Sequence, residues 1–232
     1  GVDLPSESTG LYPSPEWKMR TRKSKWLKGE TISVSIGQGA FTATPLQLAM
    51  ATAITANKGS HITPHVLREN KGAKKFAIHN APDGKIQFNG TEQDWLNMHA
   101  AMIDVIQSGT GRGIKGGLQY SIAGKTGTTN NQVDAWFAGY TPSQVAIAWI
   151  GFDQPKSLGK DETGSQAALP IWIKYMQTAL KDVPIQNYEM PDGVMIRKIK
   201  LDTGTPANEN EEGVNEYFYS EFPPHNEIHL LN

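Results

Sequence analysis

Apolar positions recur at helical spacing in three stretches of the chain. In "TATPLQLAMATAITANKGS", Leu46, Met50, Ala53 and Ile54 fall on one face. Thr44 stands where it can cap that helix, Pro45 suits the first turn, and Gln47 completes a capping box. Gly59 supplies a left-handed stop. A second helix is expected from Glu92 to Ser108, capped by Thr91 with Asp94 three residues on and ended by Gly109. Its expected buried stripe is Trp95, Met98, Met102, Val105 and Ile106. "LPIWIKYMQTALKD", with Pro170 in its first turn, reads as a third helix.

Between the second and third helices the pattern changes to short apolar runs, predicting strands over 118–126, 133–140 and 145–152. "TTNNQ" and "TPSQ" are short enough to make these runs antiparallel neighbours. Residues 1–32 show no period and read as a long surface segment. Residues 61–90 hold strand-like pieces, "HITPHVLREN" and "KIQFNG", separated by polar turns. After Pro184 the chain turns polar, and 184–232 reads as a polar tail or a small β appendage on a 1–183 domain. Helices, a meander and a further helix predict an α/β fold of the α+β type, an antiparallel sheet flanked by helices.

Composition narrows the function classes. Of 232 residues 38% are hydrophobic, which suits a globular chain, and a net charge of −1 gives no general pull towards nucleic acid. The absence of cysteine removes thiolate catalysis and thiolate metal sites. No run reaches the ~18 apolar residues of a membrane helix. "GVDLPSESTG" has neither the basic start nor the apolar stretch of a signal peptide and reads as the interior of a longer chain, with targeting information upstream. "KMRTRKSKWLK" is basic and flanked by Trp17 and Trp26. A solvated loop with aromatic anchors accounts for it better than a docking site for an acidic partner or lipid headgroups.

Phosphate binding fails on spacing. Gly124, Lys125 and Thr126 could end a phosphate loop, but Gln119 stands where the leading glycine is needed, and a strand rather than a helix follows. "GRGIKG", residues 111–116, matches Gly-x-Gly-x-x-Gly but leaves a helix instead of joining a strand to one. His61 and His65 are four apart on an extended stretch, which separates them by roughly 13 Å. His225 and His229 share that spacing without a nearby third ligand. These read as hydrogen-bonded or solvated histidines.

Lys125-Thr126-Gly127-Thr128 remains. On a strand, Lys125 and Gly127 face one way and Thr126 and Thr128 the other. Gly127 permits close approach of a ligand to the backbone, an open strand edge can bond a peptide as if it were another strand, and a lysine with two hydroxyls suits a carboxylate. On these four residues alone, a surface hairpin with polar ends is the favoured account.

The wider context carries a resemblance. "AGKTGTT…DAWFAGYTP…VAIAWIGFD" resembles the Lys-Thr-Gly strand and following hairpin of the penicillin-binding transpeptidases, the enzymes that cross-link peptidoglycan. The segment from Gly1 to Gly59, including "SIGQGAFTATPLQLAMATAITANKG", looks like the preceding part of the same catalytic domain. Residues ~1–120 resemble class B, elongation-type members, and ~121–232 resemble the bifunctional class A type. The resemblance implies a penicillin-binding transpeptidase / serine β-lactamase-like fold, here incomplete. The family's Ser-x-Asn element has no match. The one Ser-x-x-Lys, Ser157 to Lys160, follows the Lys-Thr-Gly in a glycine-containing loop, the wrong order and setting for a nucleophile.

What the resemblance implies is acyl transfer from D-Ala–D-Ala stem peptides through a serine ester, a reaction that β-lactams intercept. Lys125 and Thr128 would be the catalytic residues. Lys125 would organise charge around the nucleophile, and the Thr128 N–H would be one arm of an oxyanion hole. Thr126, Gly127 and Thr128 would bind substrate, the two hydroxyls holding its terminal carboxylate. Asp134, Trp136 and Phe137 also match the family, mostly as packing. Neither metal nor organic cofactor is implied. The implied partners are peptidoglycan stem peptides, β-lactams and proteins of cell-wall elongation or synthesis, at the periplasmic face of the bacterial inner membrane, with membrane association only through a missing amino-terminal segment. With half the family's apparatus absent, the expectation is an inactive fragment of a D,D-transpeptidase. The alternatives are a non-catalytic peptide-binding or scaffolding fragment and a D,D-carboxypeptidase.

Overall fold

The computed structural model describes residues 2, 4–66, 91–114, 117–186, 188 and 193–225. The expected strand-like pieces within 67–90, the end of the Gly-x-Gly-x-x-Gly match and His229 lie outside them. The chain forms two compact units, Gly1–Asn187 and Tyr188–Asn232.

The first unit begins with two helices where the sequence suggested a surface loop. Helix α1 spans Pro15–Arg22 and α2 spans Lys28–Ser35. Ser14 caps α1 by accepting from the Trp17 N–H, Pro15 takes the first position, and Arg20 and Arg22 suit the carboxy-terminal dipole. Lys18, 9% exposed, joins the two helices. Its Nζ donates to a Glu30 carboxylate oxygen at 2.6 Å and to the Lys25 carbonyl at 2.9 Å. Glu30 also accepts from the Leu27 N–H at 2.7 Å, so one carboxylate fixes the start of α2 and its neighbour together.

Helix α3 spans Pro45–Ala56 with the predicted Thr44–Gln47 capping box, and Gly59 beyond it has φ +86°. Helix α4 spans Glu92–Gln107, with Thr91 and Asp94 capping reciprocally. Its buried stripe differs from expectation at one position. Met98 is exposed, and His99 turns inward because its Nδ1 meets the Tyr140 hydroxyl at 2.8 Å.

Three strands form an antiparallel meander in the order β1 (Ala123–Thr128), β2 (Ala135–Tyr140) and β3 (Val145–Ile150). β1 starts later and ends later than the apolar run predicted. β2 offers six residues for pairing, and its last, Tyr140, is opposite Ala123. Residues before Ala123 are held otherwise, Tyr120 donating its hydroxyl to the Leu180 and Val183 carbonyls at 2.6 and 2.8 Å.

Alternation on β2 sorts the two faces. Ala135, Phe137 and Gly139 point towards helix α5 (Leu169–Ala179), which follows a single wider turn at Gly164–Ala168. Phe137 and Trp172 meet edge-on with centroids 5.0 Å apart, and the Trp172 indole donates to the Ala146 carbonyl at 2.9 Å. Ile106, Ile114, Ile122, Ala148 and Met176 belong to the same core. Tyr140 points to the opposite face, towards α4, with α3 beside it against β2 and β3.

The second unit is an antiparallel two-stranded ribbon, β4 (Val194–Ile199) with β5 (Val214–Tyr219). A Lys200–Glu211 ion pair at 2.8 Å spans the connection between them.

Candidate active site

The Lys-Thr-Gly-Thr segment lies on β1, which among the described residues is one of the two edge strands of the three-stranded sheet. Its register places Lys125 opposite Ala138, Thr126 opposite Phe137, Gly127 opposite Trp136 and Thr128 opposite Ala135. Directly opposed residues share a face, so Thr126 and Thr128 lie on the α5 side while Lys125 and Gly127 lie on the other. A ligand that addresses both sets must therefore run along the margin of β1, not over either face.

Each polar group on this strand has a defined neighbour. Lys125 is exposed, and its Nζ donates to the Thr126 carbonyl at 2.9 Å. The Thr126 hydroxyl meets that of Thr110 at 2.7 Å. Thr128 Oγ1 accepts the Gly164 N–H at 3.0 Å, and the Thr128 carbonyl accepts from Gln38 Nε2 at 3.1 Å. Gly127 allows Trp136 to pack close, since a Cβ there would lie 3.2 Å from the Trp136 Cβ.

Asp134 closes the β1–β2 turn. Its N–H donates to Thr129 Oγ1 at 2.7 Å, and its Oδ1 accepts the Trp149 indole N–H at 3.0 Å. Trp149 in turn stacks on Trp136 at 5.6 Å. Asp134 is thus a bracket for the hairpin that carries β1. Phe137 is fully buried in the core and does not reach the strand margin.

Ser157 and Lys160 lie on an exposed loop without helical structure, and Ser157 Oγ accepts the Gly159 N–H at 3.2 Å. The two side chains do not share a helical face. His61 and His65 lie on a stretch without helical structure, and among the described residues no three acidic or histidine side chains gather where a metal would bind.

A family model, the penicillin-binding protein transpeptidase domain, matches residues 1–177. The chain belongs to the penicillin-binding protein transpeptidase family. It is 54% identical to peptidoglycan D,D-transpeptidase MrdA of Acinetobacter baumannii over 90% of this chain and 34% of that protein. It is 38% identical to penicillin-binding protein 1A of Neisseria lactamica over 71% of this chain and 21% of that one. Both types suggested by the two parts of the sequence are therefore found, and the MrdA match alone spans both parts. Among solved structures, Pseudomonas aeruginosa PBP2 in complex with WCK 5153 matches with a TM-score of 0.66 at 34% identity, covering 80% of this chain and 41% of that one. Penicillin-binding protein 1A of Haemophilus influenzae matches with a TM-score of 0.63 at 29% identity, covering 83% and 34%. The fold is that of the penicillin-binding and serine β-lactamase-like proteins. The chain spans about a third of the length of MrdA and about a fifth of the Neisseria protein.

Reading the motif alone left out three residues of this penicillin-binding protein family chain that touch β1: Gln38, Thr110 and Gly164. Two of them carry a shared local signal. Gln38 stands between Gly37 and Gly39, and Thr110 between Gly109 and Gly111. A polar residue between glycines marks a tight excursion that pushes one side chain outward. Gly164 offers no such signal, because its role is carried by its backbone.

Proposed function

We propose that this chain supplies the Lys-Thr-Gly-Thr half of a peptidoglycan D,D-transpeptidase site at the periplasmic face of the bacterial inner membrane. The observation that supports it most is the placement of Lys125–Thr128 on a sheet margin with Lys125 exposed. The substrate's terminal D-Ala lies along that margin, its carboxylate on the Thr126 and Thr128 hydroxyls. A serine Oγ from a Ser-x-x-Lys helix attacks the penultimate D-Ala carbonyl. The oxyanion that forms accepts the Thr128 N–H, a contact of the kind whose loss costs roughly 3–4 kcal/mol of transition-state stabilisation. The C–N bond breaks, the terminal D-Ala leaves as the amine with a proton, and an acceptor amine then displaces the serine ester. Lys125 stands beside the nucleophile and organises the charge around it. β-Lactams occupy the same margin and leave the serine acylated.

The nucleophile is not within these 232 residues, because the sole Ser-x-x-Lys lies in the exposed 157–160 loop. The chain alone therefore forms no adduct with a fluorescent penicillin. Adding a polypeptide that bears the Ser-x-x-Lys helix and the Ser-x-Asn loop produces an adduct on that polypeptide, and Lys125→Ala abolishes it. An adduct on this chain that Ser157→Ala removes would overturn the proposal. Reversible penicillin binding that never becomes covalent, even with the added polypeptide, would instead favour a non-catalytic peptide-binding role. Product analysis on a pentapeptide separates cross-linking from simple hydrolysis. The solved Helicobacter pylori PBP2 is in complex with MreC, which supports a cell-wall protein as partner for this chain as well.

A further inference from the structure

The α4 terminus is built to aim one side chain at β1. The Gly109 N–H donates to the Asp104 carbonyl at 3.0 Å and the Gly111 N–H to the Val105 carbonyl at 2.8 Å, so the chain folds back on the last helical turn. Neither position has room for a side chain. A Cβ at Gly109 would lie 2.9 Å from the Val105 Cα, and one at Gly111 would lie 2.7 Å from the Ile106 Cδ1. Thr110, between them, projects outward instead, and its hydroxyl reaches Thr126 Oγ1 at 2.7 Å.

The hydrogen count at this pair matters. Each hydroxyl has one proton and two acceptor lone pairs. Whichever hydroxyl donates within the pair, the other keeps its proton, so the two together present one O–H to an incoming acceptor. At Thr128 the same logic holds with a fixed direction: its oxygen already accepts the Gly164 N–H, and its own proton remains available. Thr128 and the Thr110–Thr126 pair can thereby each give one proton to an anion.

We infer that Thr110 is a positioning residue for carboxylate recognition, acting through Thr126. This rests on the proposed function of the Lys-Thr-Gly-Thr strand. Without its partner, the Thr126 hydroxyl rotates freely and must be ordered when ligand binds. The expected loss is that of one ordinary hydrogen bond, roughly 2- to 10-fold in affinity, and it applies only to ligands that present an anion there.

The test is an NMR titration of the full 232-residue chain with N-acetyl-D-Ala–D-Ala and, separately, with its carboxamide. The parent chain is expected to prefer the carboxylate, and Thr126→Val to reduce that preference. Thr110→Val should reduce it by roughly 2- to 10-fold while leaving carboxamide binding unchanged, and Thr110→Ser should restore it. A structural defect would weaken both ligands alike and would not be rescued by serine. If the parent chain does not distinguish carboxylate from carboxamide, the reading of the strand itself falls, and this inference with it. If Thr126→Val removes the preference but Thr110→Val keeps it, the positioning role of Thr110 alone is refuted.

Discussion

Replacing Gly164 by alanine tests how tightly the turn before α5 is pressed onto the Lys-Thr-Gly-Thr strand. A Cβ at this position would lie 2.3 Å from the Trp136 carbonyl oxygen, 2.5 Å from the Gly127 carbonyl oxygen and 3.1 Å from the Gly127 nitrogen. Ordinary carbon–oxygen contact begins near 3.3 Å, so relief requires a displacement of about 1 Å. Everything to be displaced is backbone of two paired strands, β1 and β2, which cannot give way as a flexible side chain does. Overpacking of this kind costs about 1–3 kcal/mol. Displacement of the turn also breaks the Gly164 N–H bond to Thr128, adding about 1 kcal/mol. The expected loss for Gly164→Ala is therefore about 2–4 kcal/mol. Urea unfolding followed by tryptophan fluorescence reads this cleanly, because all six tryptophans lie before Tyr188 and report the first unit alone. The midpoint should fall with an unchanged slope. Gly29→Ala in α2, where a Cβ meets nothing within 4 Å, should be neutral or stabilising by up to about 1 kcal/mol. A Gly164→Ala protein within about 0.5 kcal/mol of the parent would refute the reasoning, since changes that touch nothing stay inside that band.

Three further outcomes follow from other contacts. Tyr120→Phe removes the hydroxyl that both the Leu180 and Val183 carbonyls share, and should lower unfolding stability by about 1–3 kcal/mol in the same urea assay. Burial raises the Tyr140 phenol to about 12, so the unfolded chain ionises there first. Stability should be intact below pH ~10 and fall as pH rises towards 12, by at most ~1.4 kcal/mol per pH unit, and Tyr140→Phe should remove that part of the alkaline limb. Glu30 is held below the ordinary glutamate range, first by the Lys18 hydrogen bond and then by the Leu27 N–H. Its contribution is present above pH ~4.3 and is lost as pH falls through the lower folded value, so Glu30→Gln should flatten the acid limb of unfolding stability measured from pH 6 to 3.

The elements legible in the sequence are those whose determinants are local. Thr44 and Gln47, or Thr91 and Asp94, are three residues apart, and each pair satisfies the first turn of its own helix. The meander follows from two short turns, and Pro170 marks the start of α5. Helices α1 and α2 escaped because each has only eight residues and little apolar period. Lys18 and Glu30, twelve residues apart, tie them together, and nothing in either helix announces that pair. Met98 and His99 stand one position apart on α4, and Tyr140, forty-one residues beyond His99, decided which turned inward.

The Lys-Thr-Gly-Thr motif was likewise readable as four residues, together with the face each side chain would take on a strand. What surrounds it was not. Gln38, Thr110 and Gly164 reach this strand from ninety, sixteen and thirty-six residues away. The chain by itself determined its helix starts, its turns and its Lys-Thr-Gly-Thr motif, because neighbours along the backbone settle these. Only the tertiary structure decided which distant hydroxyl, amide and backbone N–H would hold them, because hydrogen bonds depend on separation in space and are indifferent to separation along the chain.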